Sequence, residues 1–235
     1  MHEPHQTRVP RRDDVKEPEL IGGVEKRTLV LVEHDPAWAT RYREHERRIR
    51  AALGSAAIGS AAIGVEHIGS TAVPGLAAKP IIDILVTVPD ITAEEDHLDP
   101  LVRAGYVLRV REPGHRMVRT AERDVHVHVL GTDDPAAADY LLLRDYLRGN
   151  AADRERYEAT KRDLVARDWP DMNAYADAKT EVIEDIKRRA RARLARREAS
   201  TQGCGERCSR GVVKGSKGSS LASCRSRARW LSSTS

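Results

Sequence analysis

A chain of 235 residues with 40% hydrophobic side chains is long enough for one well-buried domain with tails. With no Phe and 4% aromatic content its core must be aliphatic, and no apolar run approaches the roughly 20 residues needed to cross a bilayer. The net charge of +4 hides a division: residues 200–235 carry seven basic side chains against Glu206 alone, so residues 1–199 stand at −2 and the positive charge is no argument for a nucleic-acid-binding domain.

Residues 1–25 mix Pro, charges and polar groups without periodicity and read as a disordered arm. Met1-His2-Glu3-Pro4-His5 lacks the apolar stretch of a secretory signal, so the cytoplasm is the expected compartment. The β-branched run 27–32 predicts a first strand. Asp35-Pro36 supplies an N-cap and a first-turn proline for a helix through Trp38, Tyr42, His45, Ile49 and Leu53. Residues 54–58 then recur unchanged as 59–63, a five-residue repeat that fits neither a helical nor a strand period and reads as a local insertion.

Two strands are expected near 65–68 and 81–88, and the stretch between them looks built around chemistry. Gly69-Ser70-Thr71 offers backbone N–H groups and two hydroxyls that can cradle a phosphate, although the same composition also makes an ordinary turn. Lys79 follows, and Asp83 interrupts an otherwise continuous apolar strand, where a carboxylate is costly unless it is paired, metal-bound or facing a cleft. Strand, Gly-Ser, loop and strand with Asp is the order in which nucleotidyltransferase-type sites set a phosphate beside a carboxylate-bound metal. The usual second carboxylate is missing, since Ile84-Leu85 follows Asp83. The stretch is not a P-loop: before Lys79 the spacer and second glycine are absent, and Pro80 stands where the hydroxyl residue belongs.

Further along, Thr92 and Glu95 form a capping box for a helix ending near Ala104-Gly105. Three strands are predicted over 106–111, 116–120 and 125–130. In the last, alternation puts His126 and His128 on one face, about 7 Å apart, which suits a shared metal or phosphate oxygens as well as an open polar face. His115-Arg116, at the start of the preceding strand, is expected to lie beside them and add positive charge. Asp134-Pro135 opens another helix that carries Arg144, and helical periodicity runs on through Tyr157, Leu164 and Trp169, breaks at Pro170 and resumes from Asn173 to about Arg197. The basic run 187–193 reads as a solvated helix end supported by the macrodipole. The remaining tail holds every cysteine, Cys204, Cys208 and Cys224, too few ligands for a structural zinc site. The organisation is thus an arm (1–25), an α/β or α+β domain (26–198) with a helical C-terminal third, and a disordered basic tail (199–235).

Together "DPAW" (35–38), "HIGSTAVPGLAAKPIIDI" (67–84), "GHR" (114–116), "HVHV" (126–129), "LRDYLR" (143–148), Tyr157, Lys161 and "YADAK" (175–179) resemble the GrpB family over about residues 26–190. The resemblance implies a nucleotidyltransferase-like fold, with the Gly-Ser turn at Ser70, the first strand carboxylate at Asp83, and His126 and His128 where a further carboxylate strand would stand. The family also occurs fused behind dephospho-CoA kinase, a label that would describe the fusion partner and not this P-loop-free chain. The expected function is binding of a nucleotide or other phosphorylated small molecule, with no membrane or nucleic-acid partner. Gly69, Ser70, Thr71 and Lys79 would hold phosphate, His115, Arg116 and Arg144 would neutralise further charge, and Asp83, His126 and His128 would hold Mg or Mn. With Asp83 as the catalytic carboxylate the reaction would be metal-assisted nucleotidyl transfer. The alternative is an accessory module that keeps the pocket without transfer chemistry.

Overall fold

The computed structural model describes residues 12–25, 28–54 and 64–209. In chain order its elements are β1 (Glu19–Leu20), α1 (Ala37–Leu53), β2 (Gly64–Ile68), β3 (Ile82–Val88), α2 (Glu94–Arg103), β4 (Val107–Glu112), β5 (His115–Arg119), β6 (Val125–Gly131), α3 (Pro135–Arg148), α4 (Ala151–Val165), α5 (Met172–Asp177) and α6 (Thr180–Ser209). One sheet runs in the order β1-β4-β5-β6-β3-β2. β3 and β6 are parallel, and the other neighbours are antiparallel. A mixed sheet flanked by helices is the fold class the residue pattern predicts.

Alternation along the central strands divides the molecule. Ile82, Ile84, Val86 and Val88 of β3 and Val125, Val127 and Val129 of β6 share a buried face with Trp38, Ile49 and Leu53 of α1 and Leu98 and Leu101 of α2. The other set of side chains, Asp83 with His126 and Leu85 with His128, follows from the same parallel register and points to the opposite face. There Ile68, Leu85, Leu130 and Ala137 make a small apolar cluster under α3. A further cluster of Val73, Leu76, Leu147, Tyr157, Val182 and Ile186 joins the loop after β2 to α3, α4 and α6. The histidines therefore stand on the face of the sheet covered by α3.

Local signals mostly act as read. Asp35 Oδ1 accepts the Ala37 amide at 2.8 Å and Asp134 Oδ1 accepts that of Ala136 at 2.8 Å, opening α1 and α3. Three do not. Residues 28–32 form no strand, only one antiparallel bridge between Val32 and Ala78, because a β-branched run needs a partner edge longer than one residue. The Thr92 hydroxyl donates to Asp90 at 2.6 Å, so α2 starts with Ala93 at its N-cap and no side-chain cap. The long helical stretch after Pro135 is broken at Gly149, and α4 begins afresh where Asn150 Oδ1 accepts the Asp153 amide at 3.1 Å.

Part of the segment read as an arm is ordered. Glu19–Leu20 pair with Val110 and Arg111 as an edge strand. The acidic groups of the segment meet arginines: Glu19 with Arg111 at 2.8 Å, Glu25 with Arg119 at 2.7 Å and Asp14 with Arg116 at 2.6 Å. The Arg119 hydrogen bonds and the charges of Arg119, Arg109 and Arg123, against an opposing burial effect, hold the Glu25 carboxyl down at about 2. A depressed carboxyl contributes fully above its unfolded value of 4.5 and loses that contribution as pH falls toward 2. Exchange of the Ile21 amide, which donates to Arg109 O at 2.9 Å, should accelerate relative to its intrinsic rate across that window, and Glu25→Gln should flatten the response. A pH-independent protection factor would contradict the docking.

Residues 1–11, nearly all of the five-residue repeat (55–63) and 210–235 lie outside the described residues. Residues up to Arg193 form one unit that carries the sheet, and from Leu194 the described residues are those of α6, which extends to Ser209 and past the predicted domain end at 198. Among the described residues no helix is long and apolar enough to cross a membrane.

Candidate functional site

A cavity of about 360 Å³ opens on the histidine-bearing face of the sheet, within the usual range for small-molecule sites. Of the residues singled out from sequence, Gly69, Ser70, Thr71, Lys79, Asp83, His126, His128 and Arg144 line it.

Three of the lining side chains converge. The β3–β6 register sets Asp83 opposite His126, with His128 two residues on along the same face. Asp83 Oδ1 is 3.5 Å from His126 Nδ1 and 3.7 Å from His128 Nε2, and one ligand atom from each of the three lies within 4.8 Å of the others. Burial alone would raise the Asp83 carboxyl, but the adjoining His126 and His128 imidazoles outweigh it and hold it well below the ordinary range. An oxygen and two imidazole nitrogens at this spacing make a chemically competent donor set for a divalent cation. His126 Nε2 is buried without a hydrogen-bond partner.

Gly69 makes the close approach possible. Its φ of +71 lies where L side chains are strained, and a Cβ there would stand 2.5 Å from Asp83 Oδ2. Ser70 opens a 3₁₀ turn (Ser70–Ala72) held from α3 by Arg148, which donates to Ala72 O at 2.9 Å.

The cavity also carries lysines, and sequence reasoning saw only part of this set. Lys161 of α4 donates to Ser70 Oγ at 3.2 Å and to Ala77 O, and lies 4.8 Å from the Tyr157 ring centroid. Lys79 and Lys179 sit 4.7 and 4.6 Å from the Tyr175 ring centroid. Burial pushes the Lys161 ammonium down to about 7, aided by Lys179, Arg162 and Lys79 and opposed by Glu158. Burial lowers Lys179 too, with Asp83 opposing. Among the lining residues Asp83 is the one acidic side chain.

Three expected roles change. Thr71 is buried, donates to Ile81 O at 3.1 Å and contacts His67 Nε2 at 3.1 Å, so its hydroxyl is committed to the turn and not to phosphate. Arg144 is at the wall, but its guanidinium meets Glu66 at 2.8 Å and Asp145 at 2.7 Å, which offsets its charge. Arg116 is absent from the cavity: one residue along β5 from His115, it points through to the α2 side, 2% exposed, bound to Glu94 at 2.7 Å and Asp14. His115 does adjoin the cluster, with Nε2 3.1 Å from His128 Nδ1. The signal for Lys161 and Lys179 lay in the segments around Tyr157 and Tyr175, whose helical spacing gave no hint that one lysine in each faces inward.

A family model described as GrpB protein matches residues 28–189. The chain belongs to the GrpB family. A UPF0157 protein of Streptomyces coelicolor is 57% identical over 182 residues, covering 77% of this chain and 95% of that protein. A dephospho-CoA kinase of Mycolicibacterium paratuberculosis is 30% identical over 189 residues, 68% of this chain and 45% of its own length. The crystal structure of the conserved protein GrpB from Enterococcus faecalis superposes with a TM-score of 0.60 at 30% identity, covering 70% of this chain and 99% of that one. The GrpB match spans every residue that lines the cavity.

In this GrpB site Gly69→Ala should cost about 1–3 kcal/mol of stability from the left-handed backbone alone, and should push Asp83 away from the histidines. Denaturant melts beside Mn²⁺ titration check it; an unchanged melt with unchanged titration would show that the turn absorbs a Cβ.

Proposed function

We propose that the cavity binds the phosphate groups of a nucleotide or another phosphorylated small molecule through a divalent cation. The observation that carries the reading is the set of groups gathered in one cavity: Asp83, His126 and His128 converge, and Ser70, Lys79, Lys161 and Lys179 line the same space. A metal ion would join them, holding phosphate oxygens while the lysines balance the remaining charge. Two imidazoles and one carboxylate suit a transition-series cation such as Mn²⁺ better than Mg²⁺, which prefers oxygen ligands. The reaction such a site favours is nucleotidyl transfer, in which metal and lysine stabilise charge on the transferred phosphate.

The single carboxylate favours a second reading, a module that binds without transferring. Titration calorimetry with nucleoside mono-, di- and triphosphates, with and without Mn²⁺, tests the binding proposal. Metal-dependent binding is expected, and binding indifferent to Mn²⁺ would overturn it. Release of pyrophosphate from a bound triphosphate then separates transfer from binding alone.

A further inference from the structure

We propose that Glu112 and His115 form a hydrogen-bonded relay that locks His128 in its Nδ1–H tautomer and aims the Nε2 lone pair at Asp83. The relay deepens the metal reading and rests on it for its consequence, although the tautomer itself does not. Its links are on one face of three neighbouring strands, β4, β5 and β6. His115 Nδ1 is 2.6 Å from Glu112 Oε1, and His115 Nε2 is 3.1 Å from His128 Nδ1. The two rings are nearly parallel, 9° apart, with centroids separated by 5.3 Å. That separation is the nitrogen–nitrogen distance plus about a ring radius at each end, so the rings meet edge to edge, in line for a hydrogen bond.

The protons then follow from the anchor. A carboxylate accepts only, so His115 Nδ1 carries the proton in the bond to Glu112. The neutral His115 ring is left with Nε2 as an acceptor, and His128 Nδ1 must donate to it. His128 Nε2 therefore carries a lone pair, and it faces Asp83 Oδ1 at 3.7 Å. Two acceptors facing each other are satisfied by a cation between them. The opposite assignment needs a second proton on His115 and turns a His128 Nε2–H toward Asp83, and imidazole spectra separate the two. Metal-binding histidines are commonly oriented in this way, through the ring nitrogen that does not ligate. Here the orienting group is a second histidine, itself oriented by a carboxylate. Glu112 and His115 are thus positioning residues, and His115 does not act as a phosphate-binding cation.

The test uses the full chain, ¹⁵N-labelled at histidine and freed of metal. Long-range imidazole spectra should show His128 as Nδ1–H, and His115→Phe should move it to Nε2–H, where it can donate to Asp83. The same variant should lose about 10–100-fold in Mn²⁺ affinity. His115→Gln, whose amide oxygen can take the place of Nε2, should recover both the tautomer and most of the affinity, which a merely structural defect would not. An Nε2–H signal for His128 in the unsubstituted chain overturns the relay, as does full Mn²⁺ affinity in His115→Phe. An Nδ1–H signal in a protein that takes up no Mn²⁺ supports the relay and overturns the metal reading instead.

Discussion

Asp83→Asn should weaken Mn²⁺ binding by more than the roughly 10–100-fold typical of losing a group that only orients a ligand, because Asp83 supplies the one anionic oxygen of the cluster. The amide keeps the shape and one acceptor oxygen, so the β3 register with β2 and β6 is retained and the cavity should persist. Nucleotide affinity in Mn²⁺ should then fall to the level seen without metal. Calorimetry on the two proteins side by side reads both effects. If Asp83→Asn binds Mn²⁺ as tightly as the parent chain, the cluster is a hydrogen-bonded set of side chains and not a cation site.

Lys161→Met should do something opposite for stability and for binding. Lys161 is 3% exposed and its pKa drops from 10.5 to about 7. A lysine depressed on folding binds its proton more weakly in the native state, so native stability rises with pH between 7 and 10.5 and is lowest below 7. That shift corresponds to a penalty on the order of 5 kcal/mol at pH 6, which methionine removes. Set against it is the Ala77 carbonyl left without its donor, a cost of about 1–3 kcal/mol. The variant should therefore unfold at higher temperature at pH 6 and gain little at pH 10, yet bind phosphorylated ligands poorly. Loss of stability at pH 6 would mean that Lys161 serves mainly to hold the loop at Ala77.

The same residue predicts a proton linkage. A phosphate beside Lys161 raises its pKa above about 7, so binding near pH 7.5 should take up a proton and affinity should fall as pH rises. Calorimetry in two buffers of different ionisation enthalpy measures the uptake directly. Lys161→Met should abolish it.

Asp83, His126 and His128 were legible because each sits in an apolar strand where alternation fixes the face. The same rule, applied to neighbours instead of alternate residues, misplaced Arg116: adjacency to His115 in sequence means opposite faces in a strand. Lys161 and Lys179 were not legible as site residues. Lys161 shares α4 with three arginines and Lys179 stands alone between Arg167 and Lys187, and only tertiary packing against Tyr157 and Tyr175 turns both inward. Residues 12–25 looked unstructured for a related reason. Their charges suggest a solvated arm until Asp14, Glu19 and Glu25 meet Arg116, Arg111 and Arg119. Thr92 shows how short the reach of a local motif is: a capping box was spelled correctly, and Asp90 two residues earlier took the hydroxyl.

The most direct test of a cation-centred phosphate site is crystallographic. Crystals of the chain with Mn²⁺ and a non-hydrolysable nucleoside triphosphate should give an anomalous peak at coordination distance from Asp83, His126 and His128, with phosphate density extending toward Lys79, Lys161 and Lys179. Ligand density elsewhere, or phosphate in the cavity with no anomalous peak among those three side chains, would contradict the account.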